Sequence, residues 1–232
     1  MYKQSIKKIE APIKWTKHLM STHPIVFITT IGKVENKLIC GVAPIATCLD
    51  TSYEPPYITF STAVKQHSLV GGSINRGKTN TYLNIKENGL FIVNIPSKKL
   101  LEKLDVLAYP RDRQDYKDKI DEARLTKLEP FKLSSEKIYP PLIEECLVHI
   151  ECKVVDIHQP QGSDHYNITG KVVGVSYDES LGKELDSIKV NLAKQIFHHF
   201  GSSDDQKERY IGFIEISKRK NSLIFQLEKT KE

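Results

Sequence analysis

Apolar residues along this chain recur mostly at period two, and the stretches that do so are rich in Val, Ile, Thr and Tyr. That alternation predicts strands over 23–31, 38–47 and 57–62. Residues 32–37 read as the hairpin connection between the first two. Glu54-Pro55-Pro56 forces an extended approach to the third, because a residue before proline avoids the helical region. A fourth strand at 90–95 is stopped by Pro96. The alternation resumes at 147–157, with Val148, Ile150, Cys152 and Val154 on one face. It continues at 166–175, beyond the turn Gln161-Gly162-Ser163-Asp164. Two short strands, 210–216 and 223–227, close the pattern.

Helical spacing is rarer. Residues 1–22 are polar and basic, with Trp15 and Leu19 spaced for a short docking helix. A glycine- and asparagine-rich loop at 65–80 leads to a helix start at 81–85, with Thr81 or Asn80 as its N-cap. Ser97 opens another helix with Leu100, Leu101, Leu104 and Leu107 on one face. Residues 188–200 read as an amphipathic helix ended by Gly201, which places His198 and His199 in the last turn, facing the dipole. Between them, 110–141 is charged and irregular and reads as a solvated surface excursion. Its Asp112, Asp115, Asp118 and Asp121 lack the alternating ligands, central glycine and closing glutamate of a calcium loop. Many short strands with few helices and no βαβ rhythm predict a mainly β fold, an antiparallel barrel with peripheral helices.

Composition narrows the function. At 232 residues the chain can build one full domain. Its net charge of +5 is spread over many lysines, unlike the basic stripe of a nucleic-acid binder. No run approaches the ~20 apolar residues of a membrane helix, and nothing near the start resembles a signal h-region. The expectation is a cytoplasmic protein with no membrane and no nucleic-acid partner. Cys40, Cys48, Cys146 and Cys152 form no C-x-x-C pair and have no histidine at zinc spacing, which predicts buried free thiols and no metal. Nucleophile elbow, zinc-protease, Walker and dinucleotide glycine motifs are all missing, so an enzyme here would rely on a cofactor for the hard step.

One window does carry chemistry. It reads Cys-Gly-Val-Ala-Pro-Ile-Ala-Thr-Cys at 40–48, then Ser-Tyr-Glu-Pro-Pro-Tyr-Ile-Thr-Phe-Ser at 52–61, Thr-Tyr-Leu-Asn-Ile at 81–85 and Gly-Leu-Phe-Ile-Val-Asn at 89–94. Together with Glu145-Cys146-Leu147, Glu151-Cys152, Gly162-Ser163-Asp164-His165 and Gly170-Lys171-Val172, this resembles the flavin reductase-like family of FMN-binding split barrels, flavoredoxins included. The resemblance runs from about residue 20 to about 215 and implies a Greek-key antiparallel split β-barrel. The domains expected are an N-terminal extension at 1–22, the FMN-binding domain at 23–217 and a C-terminal strand and tail at 218–232.

The resemblance lays Ala46, Thr47 and Cys48 along the isoalloxazine ring, where a flat amphipathic plate needs small side chains and exposed amides. A flavin phosphate needs several donors at once. Ser61, Arg76, Lys78 and Thr81 supply hydroxyls and cations, a helix opening near Thr81 adds N–H groups and a positive dipole end, and Asn84 backs up the cap. Where family members carry a basic residue directly before an Asp-Thr pair, this chain has Asn80, with its basic residues farther upstream. His165 matches a family histidine near the flavin or nicotinamide; a loop histidine bonded to its neighbours is the other reading. The resemblance implies FMN, NADH or NADPH as co-substrate, and a homodimer. Three functions are open: an NAD(P)H-dependent flavin reductase, a flavoredoxin-like carrier with a redox partner protein, and a flavin-free binding module.

Overall fold

The computed structural model describes residues 23–64, 78–109 and 117–183, together with the backbone of strands at 196–199, 210–219 and 222–229. In chain order the elements are β1 (His23–Pro24), β2 (Val26–Val34), β3 (Lys37–Ile45), β4 (Cys48–Tyr53) and β5 (Pro56–Ala63), then helix α1 (Asn80–Asn88) and β6 (Leu90–Pro96). A 3-10 turn at Lys98–Lys103 runs into α2 (Leu104–Ala108), followed by α3 (Lys119–Glu122), β7 (Lys127–Leu128) and β8 (Leu142–Ile143). The long strands β9 (Cys146–His158) and β10 (His165–Tyr177) come next, and β11 (Ile196–His199), β12 (Tyr210–Arg219) and β13 (Ser222–Lys229) end the series.

Seven strands form one antiparallel sheet in the order β3-β2-β6-β9-β10-β5-β4. Its two edges, β3 and β4, are consecutive in the chain, so the sheet curls into a barrel that stays open at the Ala46-Thr47 reversal between them. This is the expected mainly β split barrel. A second sheet pairs β1-β11-β12-β13 and β7 pairs with β8.

Alternation decides which side chains fill the barrel. On β2, Val26 and Ile28 join Phe60, Ile85, Phe91, Cys152 and Ile168 inside. The opposite face of the same strand, with Phe27 and Ile31, packs against Leu104, Leu107, Ile120 and Ile143. A strand buried on both faces is apolar at successive positions, which is why Ile25-Val26-Phe27-Ile28 forms an unbroken run; the buried Thr29 and Thr30 that follow are hydrogen-bonded. Gly170 is required where β10 crosses Phe91: a Cβ there would lie 2.5 Å from the ring carbons. All four cysteines are free and buried, as expected. No helix among the described residues is long and apolar enough to cross a membrane.

Four expectations need correction. The strand expected over 38–47 ends at Ile45, and β4 starts afresh at Cys48. As an edge strand with Leu49, Asp50 and Thr51 exposed, β4 carries no apolar alternation to announce it. The leucine helix begins as a 3-10 turn, although Leu100, Leu104 and Leu107 are buried as expected. The 110–141 segment is not a solvated excursion where it is described, from 117 onward, since Ile120, Ala123, Leu125 and Leu133 are buried. Finally, 196–199 is a strand between β1 and β12, so His198 and His199 do not lie in a helical turn. Sheet pairing overrides the local helical spacing there. The rest of the expected 188–200 helix, Gly201 and the docking helix at 1–22 lie outside the described residues.

Candidate functional site

The end of β5 is where the sequence-derived site residues meet. Thr47 follows β3 directly, and its hydroxyl donates to the Ser61 carbonyl at 3.1 Å, while the Ser61 amide donates back to the Thr47 carbonyl at 3.2 Å. These bonds hold the reversal against β5 and leave the Thr47 side chain exposed. Ala46, beside it, is half-buried against the cluster around Phe27. On the other side of β5, the Ser61 hydroxyl donates to Asn167 Oδ1 at 2.8 Å across the β5–β10 ladder. Thr59 and Thr169 extend this hydroxyl row, 2.9 Å apart.

The next residue, Thr62, points the other way and is buried. Its hydroxyl lies 3.1 Å from that of Thr79. Thr79, not Asn80 or Thr81, is the N-cap of α1: its backbone is extended and its hydroxyl accepts from the Tyr82 amide at 3.3 Å. The chain offers Thr, Asn and Thr in succession at 79–81, so the capping signal was visible but its register was not. Through this contact the positive end of a nine-residue helix is fixed at the tip of β5. Lys78 is exposed just before the cap, its ammonium 5.0 Å from the centre of the Tyr82 ring, and that ring stacks on Tyr166 with centroids 4.0 Å apart. An exposed cation on a rigid aromatic pair, a helix N-terminus and several hydroxyls make a surface suited to an anionic group.

The structure sets Thr47 and Ser61 on one face of the end of β5, and Lys78 and the start of α1, where Thr81 is half-buried, at the same strand end through Thr62 on the other face. Asn84 departs from the cap. It is fully buried, and its amide donates to Thr30 Oγ1 at 3.0 Å, pinning α1 to β2. Supporting the cap falls to Thr62 instead. Arg76 lies outside the described residues. Cys48 is buried, and burial together with the nearby Asp50 pushes its thiol up to about 12, so it is protonated at neutral pH.

His165 opens β10 opposite Ala63, on the same face as Asn167 and Ser61. Its Nδ1 lies 2.7 Å from Asp164 Oδ1, and its side chain is nearly half exposed. Thr62, Thr79, Tyr82, Tyr166 and Asn167 were not picked out by sequence reasoning. Each reads locally as an ordinary strand or helix residue, and only the β5–β10 pairing and the docking of α1 on it through Thr62 and Tyr166 bring them to the site.

Residues 19–195 match the family profile described as flavin reductase like domain. A protein of Methanothermobacter thermautotrophicus is 30% identical over 105 residues, a match that covers 44% of this chain and 45% of that one. Among solved structures, nitrilotriacetate monooxygenase component B from Bacillus cereus superposes with a TM-score of 0.61 at 22% identity, over 85% of this chain and 92% of that one. Flavoredoxin from Methanosarcina acetivorans gives 0.59 at 13%, over 97% and 94%. A Streptomyces globisporus NADH:FAD oxidoreductase, in complex with NAD and FAD fragments, gives 0.51 at 14%, over 68% and 77%. At these identities the structural matches establish a shared fold.

Proposed function

The chain belongs to the flavin reductase-like domain family, and from that premise we propose that it is an oxidoreductase that holds FMN at the tip of β5 and reduces it with NADH or NADPH. The observation that carries this reading is the convergence of Lys78, the capped start of α1 and the Thr47–Ser61 hydroxyls on one strand end. The donor set fits the cofactor. Lys78, Thr81 and the first-turn amides of α1 hold the phosphate, with Arg76 as a further cation on the sequence reading alone. Ala46, Thr47 and Ser61 offer small side chains and backbone along the ring. Bound flavin would supply the acceptor for a hydride, and the protein's share is orientation and exclusion of water. Cys48 stays a neutral thiol and takes no part in electron transfer. The NADH:FAD oxidoreductase among the similar folds supports a nicotinamide donor.

Titration with FMN, followed by flavin fluorescence, is the first test; saturable quenching is expected. FMN-loaded protein should then consume NADH or NADPH absorbance with free flavin or oxygen as acceptor. A preparation that ignores FMN would overturn the proposal. The fold match to flavoredoxin over 97% of the chain favours one second reading, a carrier with tightly held FMN. Reduction by a ferredoxin-like protein donor without nicotinamide oxidation would select it. We also expect a twofold homodimer, measurable by light scattering, with the open side of the barrel at or near the contact.

A further inference from the structure

We infer that Asn167 is a specificity-determining residue. It takes the Ser61 proton, so that Ser61 Oγ accepts from the imide N–H of a flavin ring while the Asn167 amide nitrogen donates to a neighbouring ring carbonyl. The inference rests on the flavin reading above, and it assigns Ser61 to the ring and not to the phosphate.

Ser61 has little hydrogen-bonding capacity left. Its amide donates to the Thr47 carbonyl at 3.2 Å, its carbonyl accepts from the Thr47 hydroxyl at 3.1 Å, and its own hydroxyl donates to Asn167 Oδ1 at 2.8 Å. A serine hydroxyl carries one proton, so with that proton on Asn167 only oxygen lone pairs remain. Thr47 is polarised the same way, because its proton is committed to the Ser61 carbonyl. Neither hydroxyl has a proton for a phosphate dianion, which can only accept. Lys78 and the start of α1, reached through Thr62 on the other face of β5, are left to hold that group.

Asn167 supplies the complementary half. It is half-buried on β10, opposite Ser61 in the strand register. Its Oδ1 is taken by Ser61, and among the described residues its amide nitrogen has no partner, which leaves two N–H donors beside the Ser61 lone pairs. An acceptor next to a donor matches a ligand edge with N–H next to C=O. The pyrimidine edge of an isoalloxazine is such an edge, an imide N–H flanked by two carbonyls. A site built to pair with an N–H rejects an analogue that lacks it, because its own acceptor is then left unpaired.

The test is binding of FMN, riboflavin and N3-methyl-FMN, read by flavin fluorescence, to the wild type, Ser61→Ala, Asn167→Ala and Asn167→Asp. The wild type should bind N3-methyl-FMN about three- to tenfold more weakly than FMN, as expected for one lost hydrogen bond. Ser61→Ala should abolish that discrimination and weaken riboflavin as much as FMN. Asn167→Ala should weaken FMN about three- to tenfold and narrow the discrimination, since the Ser61 proton is released. Asn167→Asp still takes that proton but cannot donate, so it should weaken FMN and keep the discrimination. A merely structural role predicts equal losses for all three flavins at an unchanged ratio, and that result would overturn the inference. So would a Ser61→Ala loss seen with FMN and not with riboflavin, which would put Ser61 on the phosphate, or an Asn167→Ala variant that behaves as the wild type. A wild type that binds FMN and N3-methyl-FMN alike overturns the inference alone. One that ignores every flavin overturns the functional reading with it.

Discussion

Thr79 carries a disproportionate load for one hydroxyl, because it caps α1 and meets Thr62 of β5 at 3.1 Å. Thr79→Ala should therefore lower stability by about 1 kcal/mol, the usual cost of losing an N-cap side chain, read as a lower urea midpoint. It should also weaken FMN binding, since α1 would no longer be fixed at the strand tip; Thr79→Ser should restore both. A variant that loses stability but binds FMN as before would show that the helix end is not part of the site. Local signals could place this cap only to within two positions, because three capping residues stand in a row and capping chemistry alone does not rank them. Asn84 shows the reverse failure. It is an ordinary first-turn polar residue by spacing, yet Thr30 on β2 claims its amide.

At the scale of elements, the segment from 117 to 143 is where composition misled most. Charged residues dominate it, but Ile120, Ala123, Leu125, Leu133, Leu142 and Ile143 are buried and its backbone is held by polar groups of the barrel. Glu151, fully buried on β9, accepts from the amides of Phe131, Lys132 and Leu133 at 2.7–2.9 Å. Gly174 on the neighbouring strand makes room, since a Cβ there would lie 3.1 Å from Glu151 Oε1. Asn94 on β6 accepts from the Ile143 amide at 3.0 Å, and Thr29 donates to the Pro141 carbonyl at 2.8 Å. A buried carboxylate without its donors is costly, and donors without their acceptor are nearly so. Glu151→Gln leaves one acceptor oxygen and turns an NH₂ toward backbone N–H groups. It should cost on the order of 2 kcal/mol and raise hydrogen exchange at 131–133 ahead of the rest of the sheet. Uniform exchange across the chain would contradict this local role. None of these anchors was legible beforehand, because each joins residues that are distant in sequence.

Across the whole molecule, stability is coupled to pH through His149. It lies on β9 among the buried groups, its Nε2 2.8 Å from the Ile143 carbonyl and its Nδ1 3.4 Å from Ser176 Oγ. Burial holds its pKa below the usual 6.5, outweighing the Ile143 hydrogen bond and the charges of Glu151 and Asp178, which pull upward. The unfolded chain thus takes up a proton before the folded one does. The stabilisation from keeping His149 neutral is whole above about pH 6.5 and is lost as pH falls from there through the lower folded value. Urea midpoints should drop between pH 7.5 and 5.5, and His149→Gln should flatten that drop. An equal drop in the variant would assign the effect elsewhere.

The sequence alone determined the fold class, most of the strands, the buried free thiols and the family, because period-two alternation and an ordered set of short motifs are properties of neighbours along the chain. It also marked out Thr47, Ser61, Lys78 and His165, four residues that the structure places around one end of the β5–β10 pair. Only the tertiary structure decided that 196–199 is a strand, that β4 exists as an edge, that Thr79 rather than its neighbours caps α1, and that the charged segment after residue 117 is an anchored part of the core. Each of those outcomes depends on a partner far away in sequence, a paired strand, a buried carboxylate or a hydroxyl on β5, and local periodicity carries no information about which distant group will be there.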